Sequence, residues 1–246
     1  MTLSSLPPYE PGFFIPDYRP MRSGAWDIRQ TENVLCQGYW SPPALVPRLT
    51  ALVRDGDVWM SISPMETESQ SIGIQQACGH VVIFGLGMGW AAAATALSKA
   101  VTAVTVVEFD PEVIALHREL DVFGQLPQDV QGKVRIVQGD AYTWTPNEQV
   151  DLLMPDIWLP LVSDGRVDEV RQMQDNVGAE AIYFWGQEME IARHAVAAGR
   201  AIDDAGIAAT IADFGLPLLG ADTPDYALRT KTAAERWMAG RWLSPA

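Results

Sequence analysis

The sequence predicts an α/β fold in which a doubly wound, mostly parallel sheet carries helices on both faces. Four runs of mainly apolar and β-branched residues, at 81–84, 101–110, 134–137 and 150–154, lead to glycine or acidic residues. Helical patterns at 90–100 and 111–120 separate the first three runs. This alternation is typical of buried parallel strands joined by helices.

The predicted elements divide the chain into three sections. Residues 1–60 are rich in proline and tryptophan, and short mixed runs at 26–29 and 58–62 favour strands or arms. We therefore expect an N-terminal extension or cap over 1–60, the doubly wound domain over 61–205, and a helical segment over 206–246 packed on the core. The other predicted elements are a strand at 180–185 and helices at 66–76, 163–177 and 187–205. Residues 206–215 are also compatible with a sixth strand.

Composition and charge narrow the classes of protein and partner. With 48% hydrophobic residues in 246, the chain can bury a large core, which excludes intrinsic disorder. Its 17 Lys and Arg face 31 Asp and Glu, for a net charge of −14. Such a charge repels phosphate backbones and anionic membranes, so we expect neither a nucleic-acid nor a membrane partner.

The cysteines and histidines point to no metal site and no disulfide framework. The two cysteines do not form a CxxC motif, and the three histidines are scattered over separate predicted elements. The N-terminal residues lack the basic and apolar regions of a secretion signal. A reducing, cytoplasmic location is the expectation.

Three polar features are expected to meet at one edge of the sheet. A glycine-rich turn, Gly85-Leu86-Gly87-Met88-Gly89, follows the first buried strand and precedes a helix, where a ligand can approach the backbone. A dinucleotide fingerprint needs its third glycine at position 90, which is Trp90, so the third glycine of this turn comes one residue early and the spacing departs from that motif. Glu108 and Asp140 end the next two strands and can accept hydrogen bonds from ribose hydroxyls and a base amine. The alternatives are a purely structural turn and capping acids.

Four segments resemble, in order and spacing, the nucleotide-binding motifs of class I S-adenosylmethionine (SAM)-dependent methyltransferases. They are VVIFGLGMGWAAAATAL, VTVVEFDPEVI, VRIVQGDA and VDLLMPDIW. The resemblance implies a Rossmann-like fold, SAM as cofactor and S-adenosylhomocysteine (SAH) as product. One difference is Phe84, at a position where many members carry an acid. The implied cofactor contacts are Gly85, Gly87 and Gly89 for the methionine part, Glu108 for ribose, and Asp140 with Ala141 or Tyr142 for adenine.

The segment after the fourth strand is similar to the spermidine synthase-like branch of this fold. The resemblance there implies that Asp156 contacts an acceptor amine, which makes it the candidate catalytic residue. Trp158 beside it is a candidate substrate contact. Glu66 and Gln70, one helical turn apart, are further substrate candidates, although a helix-capping pattern with Ser63 also explains Glu66. The residues at 63–70 do not match the usual signature of that branch.

These features predict a SAM-dependent methyltransferase that acts on a small, neutral-to-cationic acceptor. Ten acidic residues against two arginines at 147–190 favour such an acceptor, although a solubilising surface also explains them. The alternatives are an aminopropyltransferase that uses decarboxylated SAM and a non-catalytic SAM- or SAH-binding scaffold. The aromatic residues Phe13, Phe14 and Trp26 suit a homodimer contact.

Overall fold

The structure is a computed structural model that describes residues 8–245. An N-terminal antiparallel sheet has the strand order β1-β2-β3-β4. Its strands are Met21–Ser23 (β1), Trp26–Cys36 (β2), Ala44–Arg54 (β3) and Asp57–Ser61 (β4). Asp55 and Gly56 join β3 to β4 with φ angles of 53° and 91°, as a two-residue hairpin turn requires.

The second sheet confirms the predicted fold class. Its five strands are all parallel and lie in the order β7-β6-β5-β8-β9. The strands are Gly79–Phe84 (β5), Val101–Glu108 (β6), Val134–Gln138 (β7), Leu152–Pro155 (β8) and Ala181–Ile182 (β9). The chain builds outward from β5 through β6 to β7 and then returns to β8 on the other side of β5. Right-handed crossovers in opposite directions place helices on both faces of such a sheet.

Eight α-helices lie among the described residues. The four helices that precede β7 in the chain are Pro64–Gln76 (α1), Trp90–Ala96 (α2), Pro111–Leu120 (α3) and Gln128–Gln131 (α4). The others are Arg166–Val177 (α5), Gln187–Ala197 (α6), Asp204–Phe214 (α7) and Tyr226–Trp237 (α8). None of these helices is long and apolar enough to cross a membrane.

Several predicted boundaries are wrong for local reasons. The helix predicted at 187–205 ends at Ala197, because Gly199 takes a positive φ of 70°. The Asp203 side chain then accepts a hydrogen bond from Gly206 N and starts α7, so 206–215 is a helix and not a sixth strand. The strand predicted at 180–185 is reduced to the two residues of β9.

The N-terminal extension is more regular than the sequence indicates. Its central strands, β2 and β3, are eleven residues each, whereas only short strands or arms were expected. The sheet docks on the start of α3, where Ala25 N and the Ser23 hydroxyl donate to Glu112. Phe13 packs beside Trp90 with ring centroids 6.3 Å apart. The aromatic residues expected at a dimer contact thus pack within the chain, and a homodimer stays a prediction.

Candidate functional site

A cavity of about 630 Å³ lies where the carboxyl ends of β5, β6, β7 and β8 meet the N-terminal sheet. Its volume falls within the range of about 300–1,000 Å³ that is usual for small-molecule sites. The strand order reverses between β5 and β8, and the crevice at such a reversal is where open α/β sheets bind ligands. The topology alone therefore makes this cavity the candidate site.

The glycine-rich turn forms the floor between β5 and α2. Gly85, Gly87 and Gly89 all line the cavity and have φ angles of 94°, 50° and 78°. A side chain at Gly85 would overlap the backbone oxygen of Asp156, and one at Gly87 would overlap the sulfur of Met60. The glycines therefore allow the loop after β8 and strand β4 to approach the turn from two directions, which leaves backbone at the cavity wall.

His117 supports this turn from behind. Its Nε2 lies 3.0 Å from the carbonyl oxygen of Gly87, and a side chain at Gly89 would overlap its ring. Burial lowers the pKa of His117 to about 4, so the ring is neutral and Nε2 donates to the carbonyl. The residue supports the turn and does not line the cavity.

Glu108 is held in place by the backbone on both sides of it. Leu86 N donates to Oε2 at 2.8 Å and Asp110 N donates to Oε1 at 2.7 Å. Each carboxylate oxygen keeps further acceptor capacity, and the side chain lines the cavity. Burial raises the pKa of Glu108. Phe109, which the sequence interpretation missed, also lines the cavity with 72% of its surface exposed, as suits stacking on a planar ligand.

Asp140 accepts a capping hydrogen bond and also lines the cavity, so its contact with a ligand stays a prediction. Its Oδ1 accepts a hydrogen bond from Tyr142 N at 2.9 Å, as a capping acid does. Asp140, Ala141 and Tyr142 also all line the cavity. The amides of Gln172 and Asn176 donate to the Tyr142 carbonyl oxygen from α5, which holds this loop against the sheet.

Asp156 lies half-buried in the cavity wall, next to Gln70. Gln70 Nε2 donates to Asp156 Oδ2 at 2.8 Å, a contact between α1 and the end of β8. Burial raises the pKa of Asp156 to about 7, against the opposing effects of the Arg166 charge and the Gln70 hydrogen bond. This carboxyl group therefore changes charge near neutral pH, as a group that exchanges a proton with a ligand should.

Glu66 is buried on α1, one turn before Gln70. It is 5% exposed and does not line the cavity, so of these two predicted substrate contacts only Gln70 reaches the cavity wall. Burial and then the charge of Asp156 raise its pKa. Ser63 caps α1, with its hydroxyl 3.4 Å from Glu66 N. Helix capping thus accounts for this part of the motif.

The Trp158 ring lines the cavity with one of its faces already occupied. The fully buried guanidinium group of Arg166 stacks on it, with Cζ 3.9 Å from the ring centroid. Arg166 also donates to the Pro160 carbonyl and the Ser163 hydroxyl, which ties together the loop that follows β8. No local sequence signal identifies this arginine, because its partners are assembled by the loop.

The N-terminal sheet supplies a complete wall of the site. The lining residues that it contributes are Trp26, Leu52, Arg54, Trp59 and Met60. Asp110 links this wall to the parallel sheet. It accepts from Trp26 Nε1 at 2.9 Å and from Arg54 Nη1 at 3.2 Å. The Asp-Gly dipeptide at 55–56 was the available sequence signal for the β3–β4 hairpin.

The cavity is acidic, but the acids that line it are mostly not those of the acidic region at 147–190. Glu108, Asp110, Asp140 and Asp156 line it against a single base, Arg54. Of the ten acids at 147–190, only Asp156 contributes. The charge of the site therefore comes from the strand ends and not from the acidic region after the fourth strand. Among residues 8–245, no group of three or more His, Cys, Asp or Glu side chains is arranged to hold a metal ion.

Comparison with known proteins gives matches among solved structures only. No protein-family model and no curated protein matches the chain. The glycopeptide N-methyltransferase MtfA with SAH is 18% identical (TM-score 0.37), over 45% of this chain and 43% of that one. The DhpI–SAM–HEP complex is 20% identical (TM-score 0.32), over 44% of this chain and 46% of that one. A putative RNA methyltransferase, PH1948 from Pyrococcus horikoshii, is 17% identical (TM-score 0.36), over 48% of this chain and 55% of that one. The matched region spans about half of each neighbour.

Proposed function

We propose that the chain is a SAM-dependent methyltransferase that acts on a small, neutral-to-cationic molecule. One observation carries the proposal. A single cavity joins the glycine turn, Glu108, the loop that begins at Asp140 and the end of β8 at Asp156, at the strand reversal of a parallel sheet. A cofactor and an acceptor can therefore lie side by side, which is the main requirement of a direct transfer reaction.

The donor set of the cavity fits the proposed cofactor. The Glu108 carboxylate keeps free acceptor capacity for the two hydroxyls of a ribose. Phe109 and Ala141 offer apolar surface for adenine, and Asp140 offers an acceptor for its amine. Four lining acids against one base suit a ligand that carries a positive sulfonium centre. When bound, SAM would supply an electrophilic methyl group.

The chain's own residues would orient the acceptor and remove its proton. Gln70 holds Asp156 by the hydrogen bond at 2.8 Å, and the Trp158 loop closes beside it. With its pKa raised to about 7 by burial, Asp156 is matched to accept a proton from an acceptor near neutral pH.

Calorimetry with SAH tests the cofactor assignment. We expect SAH to bind the wild-type chain and Glu108→Ala to weaken binding about 10- to 100-fold, the loss of hydrogen bonds to a charged group. Asp129→Ala is the control, because Asp129 is exposed on α4 and does not line the cavity. No binding heat with wild type, or equal affinity for Glu108→Ala, would refute the assignment.

Aminopropyl transfer from decarboxylated SAM is a second candidate, favoured by one observation. Arg54 is the only lysine or arginine that lines the cavity among the described residues, and it is paired with Asp110 at 3.2 Å. The carboxylate of SAM would therefore meet no free cation, whereas decarboxylated SAM carries no carboxylate. Turnover measured with each cofactor separately distinguishes the two reactions, and cofactor binding without turnover on amines, alcohols and thiols would indicate a binding protein.

A further inference from the structure

We infer that the acceptor is a monoamine with an apolar body of about the size of an aromatic ring, held with its amine at Asp156 and its body against the N-terminal sheet. This inference rests on the proposed function, since it names the acceptor class for the same cavity. It excludes polyamines, although an acidic cavity would by itself attract them.

The glycine turn brings the two halves of this acceptor site together. The position of a Gly85 side chain is taken by the backbone oxygen of Asp156, and that of a Gly87 side chain by the sulfur of Met60. Met88 N also donates to Met60 Sδ at 3.0 Å. Asp156 and the N-terminal sheet therefore flank the same turn, at two glycines whose Cα atoms can lie no more than about 7 Å apart.

The lining acids are divided unequally along the cavity. Glu108 ends β6, Asp110 follows it and Asp140 follows β7, and this is the part of the cavity that suits a nucleoside. Asp156 alone follows β8. Asp110 also touches the N-terminal sheet, but Arg54 neutralises it, so Asp156 is the one carboxylate in the acceptor part without a cation paired to it. A diamine or polyamine needs a second acid some distance away to pair its other ammonium group, because an unpaired buried charge is costly.

The wall opposite is apolar and aromatic. Four of the five residues that the N-terminal sheet contributes are Trp26, Leu52, Trp59 and Met60. The two tryptophan rings meet edge to face at 5.3 Å, and Trp59 remains 37% exposed. The fifth residue, Arg54, is held by Asp110 and lies over Trp26, with Cζ 5.1 Å from the ring centroid. No acid from this sheet lines the cavity, so the wall favours the uncharged part of a ligand.

The Trp158 ring favours the same class of acceptor. A free indole face attracts cations, but the Arg166 guanidinium group already lies 3.9 Å from the centroid on one face of this ring. The positive charge behind the ring opposes a second cation in front of it. The free face is therefore a surface for an uncharged planar or apolar group, and the ammonium group is directed to Asp156.

Three probes test the inference by calorimetry at pH 8, each titrated with and without saturating SAH. The first, 2-phenylethylamine, carries both an aromatic ring and an amine. The second, 1,4-diaminobutane, carries two amines and no ring, and the third, 2-phenylethanol, carries the ring and no amine. We expect 2-phenylethylamine to bind at least about tenfold more tightly than either of the others, since it alone meets both Asp156 and the apolar wall. Equal or tighter binding of the diamine or of the alcohol would overturn the inference.

Two variants assign the effect to the residues named. In Trp59→Ala, 2-phenylethylamine should no longer bind more tightly than 1,4-diaminobutane. In Asp156→Asn, it should no longer bind more tightly than 2-phenylethanol. Trp242→Ala is the matched control, because Trp242 is 40% exposed and does not line the cavity. An unchanged preference in either cavity variant would contradict the inference. Absence of SAH binding with retained amine selectivity would refute the proposed function alone, and SAH binding without amine selectivity would refute this inference alone.

Discussion

Replacement of Asp156 by asparagine should stabilise the protein at alkaline pH. Burial raises the pKa of this carboxyl group from 3.8 to about 7. A carboxyl group whose pKa is raised on folding contributes stability below its unfolded pKa and loses it as the pH rises through the folded pKa. Asparagine keeps the oxygen that accepts from Gln70 and carries no charge at any pH. The ionisation cost is therefore absent from the variant.

The two pKa values give the size of the effect. Relative to a carboxyl group with an unshifted pKa, Asp156 destabilises the folded chain by about 2 kcal/mol at pH 5.5 and by about 4 kcal/mol at pH 8.5. The stability of Asp156→Asn relative to wild type should thus rise by about 2 kcal/mol between these pH values. Water in the cavity screens the charge, which makes this an upper figure. Removal of the Asp156 charge also lowers the pKa of Glu66, and this change too stabilises the variant at high pH.

Urea unfolding followed by circular dichroism at pH 5.5, 7 and 8.5 measures the difference. Asp129→Asn, at an exposed position on α4, is the control and should differ from wild type equally at each pH. A difference for Asp156→Asn that is independent of pH, or that becomes less favourable at pH 8.5, would refute the reasoning. Loss of amine binding in the same stabilised variant would indicate that the cost of the buried carboxyl group serves ligand binding.

Further predictions concern the turn and the docked sheet. Gly85→Ala should cost about 3 kcal/mol or more in urea unfolding, because its methyl group meets a backbone oxygen that cannot move aside. Gly87→Ala should cost about 1–2 kcal/mol and recover part of this when combined with Met60→Ala, which removes the overlapping sulfur; equal costs and no recovery would contradict this account. Trp26→Phe removes the indole donor to Asp110, and hydrogen exchange should become faster in the N-terminal sheet while the parallel sheet stays protected.

The fold and half of the site follow from local patterns. The run 81–84 and the three glycines after it predict a buried strand followed by a turn, and both are present in the structure, where all three glycines have positive φ angles. Glu108 and Asp140 were expected at strand ends on the cavity edge, and both line the cavity. These predictions succeed because strand periodicity and the left-handed conformations of glycine are encoded within a few residues.

The other half of the site depends on contacts between distant segments. The Gln70–Asp156 hydrogen bond joins residues 86 positions apart, and the Trp26–Asp110 bond joins residues 84 positions apart. Neither pair has a local signature, since hydrogen bonds between side chains depend on how sheets and helices dock. The sequence by itself therefore determined the parallel sheet, its glycine turn and its row of acids. Only the tertiary structure decided that the N-terminal sheet forms the apolar wall, because packing between the two sheets, and not periodicity, brings that wall to the turn.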